Sequence, residues 1–97
     1  VSLSLYIVRE SSPDEPRVAG SVDSVKKLKS LGFDVVVEAG AGLRSRVPDQ
    51  EYEKAGARIG GAADAASADV ILKVRRPTAE EIAGYKSGAI VIAIMDP

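Results

Sequence analysis

Ninety-seven residues, 45% apolar and 28% charged, describe one globular domain near the small end of the range that builds its own core. A net charge of −1 gives no electrostatic case for nucleic acid or an anionic membrane surface as partner. Without cysteine there is no disulfide frame, thiol nucleophile or thiolate metal site, and without histidine the commonest general base and zinc ligand are both missing.

In chain order, Leu3 to Val8 is a short apolar run suited to a buried strand. Ser11 to Arg17 holds two prolines and three charges and reads as a loop. From Ser21 onward, Val22, Val25, Leu28 and Leu31 recur at three-residue spacing while Lys26, Lys27 and Lys29 face away. That pattern predicts an amphipathic helix with Ser21 as its N-cap and Gly32 as its stop. Phe33 to Glu38, with β-branched Val35 to Val37 at its centre, predicts a strand buried on both faces. Asp49 to Ala55 reads as a short helix capped by Asp49 and closed by Gly56. Ala57 to Ile59 reads as a brief strand, and Ala62 to Ala68 as an alanine-rich helix. Val70 to Val74 is a strand, Thr78 to Lys86 a helix with Thr78 and Glu81 as a capping box, and Ala89 to Met95 the last strand.

Strands alternating with helices predict an α/β fold: an open, mostly parallel sheet with helices on both faces, five strands and about four helices, of the flavodoxin-like or Rossmann-like half type. The longest apolar run, Ala89 to Met95, is far below the ~20 residues of a membrane helix, and nothing at the N-terminus reads as a signal peptide. The expectation is a soluble, intracellular-type domain that binds a ligand or supplies part of a larger enzyme. Because a core strand meets the chain end at Asp96 and Pro97, a piece of a longer polypeptide is expected.

Candidate chemistry gathers at the carboxyl ends of the strands, where open parallel sheets bind ligands. Arg9 and Glu10 follow the first strand, Glu38 to Gly42 the second, Arg75 and Arg76 the fourth, and Asp96 the fifth. Charged residues at strand ends are also what solvent alone would select. Lys73 is more informative, because it sits inside the strand VILKV where both faces should be buried. It must either snorkel past the sheet end or meet an anion in the cleft. Arg17, in a proline-flanked loop, is suited to bidentate grip of a carboxylate or phosphate, or to capping a helix end. Gly40 to Gly42 lack the spacing of a pyrophosphate-binding loop, and the next helix starts only at Asp49. They fit a tight exit from the strand or a close backbone approach.

At these residues the chain resembles the alanine dehydrogenase/transhydrogenase superfamily, and within it the N-terminal part of proton-translocating NAD(P) transhydrogenase alpha subunits. The shared words are Arg17-Val18-Ala19, Val25-Lys26-Lys27-Leu28 and Gly32 through Gly42. They continue through Asp49, Tyr52, Ala55-Gly56-Ala57, Asp69-Val70, Lys73-Val74-Arg75 and Pro77. The resemblance implies that Arg17 and Lys73 stand where alanine dehydrogenases hold the carboxylate and keto oxygen of pyruvate. Glu10 and Arg75 join them as cleft-side candidates. Alanine dehydrogenases also carry a catalytic histidine just after the last strand of this segment, where this chain has Met95-Asp96-Pro97. That difference favours the transhydrogenase branch. Two departures, Ser21-Val22 in place of Ser/Thr-Pro and Val8-Arg9-Glu10 in place of Pro-Lys-Glu, touch local loop geometry.

The resemblance further implies that residues 1–97 form the N-terminal α/β domain, without the NAD-binding Rossmann domain. The intact enzyme would pass hydride between NAD(H) and NADP(H), coupled to proton translocation. No catalytic residue, metal or tightly bound cofactor is expected within this piece, which alone should be inactive. Expected partners are the NAD-binding domain of the same subunit, the membrane and NADP-binding components, and a second copy in a homodimer. The expected place is the cytoplasm, peripheral to the cell membrane through those components, with no direct membrane insertion. The competing readings are an alanine dehydrogenase-like, NAD-dependent oxidation of a small amino acid and a non-enzymatic flavodoxin-like binding module. Arg17 and Lys73 are expected around one pocket, opposite the nucleotide-carrying half.

Overall fold

Five strands run parallel in a single sheet: β1 (Ser4–Ile7), β2 (Asp34–Glu38), β3 (Arg58–Gly60), β4 (Val70–Lys73) and β5 (Ile90–Ala93). Between them come α1 (Val22–Ser30), α2 (Asp49–Lys54), α3 (Ala62–Ser67) and α4 (Ala79–Ala83), with a short 3-10 turn at Leu43–Ser45. The computed structural model describes residues 3–10, 20–74 and 79–93. The α/β sheet-and-helix alternation expected from the sequence is therefore the fold.

The strand order is β3-β2-β1-β4-β5. This is the order of the first five strands of the doubly wound dinucleotide fold, not the 2-1-3-4-5 order of flavodoxin-like sheets. Its consequence is positional. The chain winds outward from β1 through β2 to β3, then returns to lay β4 on the other side of β1. The crevice between the carboxyl ends of β1 and β4 is thus the topological switch point.

Strand side chains alternate between two cores. One face carries Leu5, Ile7, Val25, Val35, Val37, Ala41, Tyr52, Ala57 and Val70, and belongs to α1 and α2. The other carries Tyr6, Val8, Val36, Ala68 and Ile71, flanked by Ala65 of α3, Tyr85 just past α4, and Val91 of β5. All three central residues of β2, Val35 to Val37, are buried, as a strand covered on both sides requires.

The helix ends show where local reading holds and where it gives way. Ser21 caps α1, its hydroxyl accepting from Ser24 N at 3.1 Å. Gly32, at φ +97, carries the chain out of that helix. Leu31 does not extend the apolar stripe: it is the C-cap, and it is 68% exposed. Asp49 does not cap α2 either. Pro48 holds the N-cap position, and the Asp49 carboxylate turns back to accept Gly40 N at 3.0 Å. The helix expected over 78–86 is shorter, Ala79–Ala83, and Gly84 and Tyr85 continue it only as turns onto Glu81 O and Ile82 O. Thr78, and with it the expected capping box, lies outside the described residues, as does the end of the last strand beyond Ala93.

At the sheet's other end, Asp69 ties three segments together. Its carboxylate accepts from Ser4 N at 2.9 Å and Ser4 Oγ at 3.1 Å, and pairs with the Lys86 ammonium. Those contacts, the lysine first, pull its pKa down to about 2.

Candidate functional site

Lys73 is the last residue of β4, two positions after Ile71 and therefore on the same face of the sheet. It is 2% exposed, so the side chain does not snorkel to solvent. A lone buried ammonium would be costly, and this one has anions from its own chain. Nζ donates to Glu10 Oε1 at 3.2 Å and to Glu81 Oε2 of α4 at 3.4 Å.

Glu10 reaches this position because the chain keeps its course after β1. Val8 N still bonds Leu72 O at 3.2 Å, which holds the outgoing backbone beside β4. Glu10 is itself 5% exposed, and its second oxygen accepts Val74 N at 3.1 Å. One carboxylate thus clamps both the lysine head and the backbone amide after it. The arrangement sits at the switch point between β1 and β4, where strand order alone would place a ligand. A ligand oxygen approaching Nζ would compete with Glu81 on α4, while Glu10 keeps the ammonium in place from the β1 side.

The neighbouring strand ends are tied in sequence. Arg9 N donates to Glu38 Oε1 at 2.9 Å, linking β1 to β2. After Glu38 the glycine-rich turn closes with Ala41 N on Glu38 O at 2.9 Å, Gly40 being at φ +79. At Gly42 a Cβ would come within 2.7 Å of both Tyr52 Cε2 and Val47 O. These glycines serve a tight exit and a close approach, as their spacing indicated. The pairing of Asp49 with Gly40 was not visible in sequence; the nine-residue separation carries no local signal.

Of the four residues singled out from sequence, Glu10 and Lys73 come together. Arg17 and Arg75 lie outside the described residues. Glu81, considered there only as a capping residue, joins the pair through α4. Among the described residues there is no group of three or more metal-binding side chains. No described helix is long and apolar enough to cross a membrane.

Residues 6–97 match the family model for the alanine dehydrogenase/PNT N-terminal domain. The chain is 42% identical, over 89 residues and 92% of its length, to the NAD(P) transhydrogenase subunit alpha of Haemophilus influenzae, of which it spans 17%. The crystal structure of a transhydrogenase from Sinorhizobium meliloti superposes with a TM-score of 0.91 at 78% identity, covering 95% of this chain and 28% of that one. An L-alanine dehydrogenase structure superposes with a TM-score of 0.85 at 30% identity, covering 92% of this chain and 25% of that one. The chain therefore spans roughly a quarter or less of the length of these relatives.

Proposed function

We propose, from the premise that this chain belongs to the alanine dehydrogenase/PNT N-terminal domain family, that it is part of an NAD(P) transhydrogenase alpha subunit. In that role it forms one wall of the nucleotide cleft and supports hydride transfer between NAD(H) and NADP(H), coupled to proton translocation. The observation that carries the reading is the 78% identity to a transhydrogenase along 95% of the chain. The sequence Met95-Asp96-Pro97, where alanine dehydrogenases are expected to carry their histidine, points the same way.

In this reading the switch-point crevice faces the nucleotide-carrying half of the same subunit. Lys73 and Arg17 are its cationic residues, Arg75 borders it, and Glu10 is a positioning residue that acts through Lys73. The domain brings no acid, base or metal to the reaction. Its contribution is to hold fixed charge near the cofactor and to exclude water. The other components, NADP-binding and membrane-spanning, complete the assembly, which holds the domain at the cytoplasmic side of the membrane, with two copies of the alpha subunit in a dimer.

The test is activity of the full-length parent subunit assembled with its partner components. The expected result is NADH-dependent reduction of an NADP analogue. Pyruvate- and ammonium-dependent oxidation of NADH would instead place the protein with the amino-acid dehydrogenases. The 97-residue piece alone should neither turn over nor bind NADH, and micromolar binding in a fluorescence titration would contradict that part.

A further inference from the structure

Lys73 is held by two carboxylates whose anchorage differs. Glu10 is fixed from the backbone: Val8 N on Leu72 O keeps its segment beside β4, and its second oxygen takes Val74 N at 3.1 Å. Its side chain is 3% exposed. Glu81 rides on α4 and reaches Nζ at 3.4 Å with its side chain 26% exposed, so solvent meets the outer edge of that ion pair.

The helix that carries Glu81 is lightly attached. None of the five residues of α4 is buried, and its large apolar side chain, Ile82, faces solvent. Among the described residues, no backbone hydrogen bond joins 79–88 to another strand or helix. Gly84 N, Tyr85 N and Ala89 N bond within the segment, to Glu81 O, Ile82 O and Lys86 O. Firmer ties come after the helix: Tyr85 packs against the Tyr6 cluster, Lys86 pairs with Asp69, and Gly88 turns at φ +87 toward β5. A helix this short has little stability of its own and keeps its place through tertiary contacts. A part-exposed ion pair is a weak contact of the kind that local opening breaks.

We propose that α4 is a lid over Lys73, latched by Glu81 and hinged at Gly84. Shut, the ammonium lies between two carboxylates and out of reach of solvent. Open, it keeps Glu10 as counter-ion, so no charge is left buried alone, and one N–H donor turns to the switch-point crevice. The lid thus regulates access to the cation of the candidate site. It rests on the function proposed above only for what it admits, an anionic group from the nucleotide side of the cleft.

The test is amide hydrogen exchange of the 97-residue chain and its Glu81→Gln variant. Glu80→Gln, the same charge change on the exposed side of the same helix, is the control. Freed of its latch the short helix frays, so Gly84 and Tyr85 amides should exchange about two- to fivefold faster in Glu81→Gln. The amides of β1 and β2 should keep the parent rates, and Glu80→Gln should match the parent throughout. Limited acetylation, read peptide by peptide by mass, should reach Lys73 faster in Glu81→Gln by a similar factor, with the exposed Lys26 and Lys27 of α1 as references. Unchanged exchange at Gly84 and Tyr85, acceleration spread over β1 and β2, or a Lys73 no more reactive than in the parent would each overturn the lid. All of these outcomes are independent of hydride transfer by the intact enzyme, which has its own assay.

Discussion

Tyr6 and Tyr52 are both buried, one on each face of the same sheet, and their hydroxyls end differently. Tyr52 donates to Gly20 O at 2.8 Å inside the α1/α2 core. Among the described residues Tyr6 finds no well-aligned partner on the α3/α4 side, where the Glu38 carboxylate stands nearest its hydroxyl. The contrast extends to the layers. The first face is closed by the nine-residue α1 and by α2, which meet over a continuous apolar cluster. The second is covered by six residues of α3, four of them alanine, and by the five of α4, which has no buried residue of its own. Small side chains and short helices leave room there, and polar groups occupy it: Lys73, Glu10, Glu38 and Glu81 all belong to this side. One face of the sheet is built for cohesion. The other gives up packing and keeps a crevice.

The largest effect expected from this division comes from breaking the buried ion pair. Lys73→Ala leaves Glu10 buried beside Glu81 with its cation gone, and should cost about 3–5 kcal/mol in urea denaturation. The double variant Lys73→Met with Glu10→Gln should recover most of that loss, because an uncharged pair needs no counter-ion. If Lys73→Ala unfolds no more easily than the parent, the polar crevice is not held as described.

Next is a matched pair on β2. Val37→Ala, on the closed face, should cost about 2 kcal/mol, and Val36→Ala, on the open face, distinctly less. The two side chains are of the same type and adjacent, so the difference reports how far each layer can relax into the space left. Equal losses would erase the distinction between the faces.

The tyrosines provide a third comparison. Tyr52→Phe should lose about 1 kcal/mol through its hydrogen bond to Gly20 O, whereas Tyr6→Phe should lose nothing. Burial raises the pKa of both phenols, and that of Tyr85 is pushed up to about 12 by burial and then by Glu81, Glu38 and Glu10. Tyr6 and Tyr85 should remain neutral through spectrophotometric titration to pH 10, and Tyr52 should ionise above the range of a free phenol.

The smallest effect concerns the far end of the sheet. Asp69 titrates at about 2 when folded, below the unfolded carboxylate value of about 3.9. A depressed pKa means stability that is fully present above the unfolded value and is lost as pH falls toward the folded one. The thermal midpoint of the parent should therefore fall between pH 4.5 and 2, and Asp69→Asn should flatten that part of the curve. A variant with an unchanged acid slope would show that the Ser4–Asp69–Lys86 tie contributes nothing measurable.

Much of this was legible before any coordinates. Hydrophobic spacing located α1, the β-branched run located β2, and the Ser21 cap and Gly32 exit followed from backbone chemistry within a few residues. The same local rules misread Asp49 and Leu31. Asp49 has the right type for a cap, but a glycine amide nine residues earlier offers its carboxylate a better-placed donor. Leu31 continues the spacing of the stripe, yet α1 ends before it, and the C-cap residue turns to solvent. In the candidate site, Lys73 stood out because a charged residue inside an apolar strand is itself a signal. Glu10 was singled out too, as a residue at the end of the first strand, but nothing local paired it with Lys73, and Glu81 was read only as a capping residue.

What the sequence by itself determined is the alternation of elements, the two-sided burial of β2 and the presence of a lysine that must be compensated. Those properties depend on periods of two and 3.6 residues and on the cost of burying charge, all readable along the chain. Which anion compensates it was decided only by the tertiary structure. Glu10 and Lys73 are separated by 63 residues and meet because strand order places β4 against β1. The position of the open face and the setting of the Tyr6 hydroxyl beside Glu38 have the same origin. They follow from which helices cover which side of the sheet, and no local pattern encodes that.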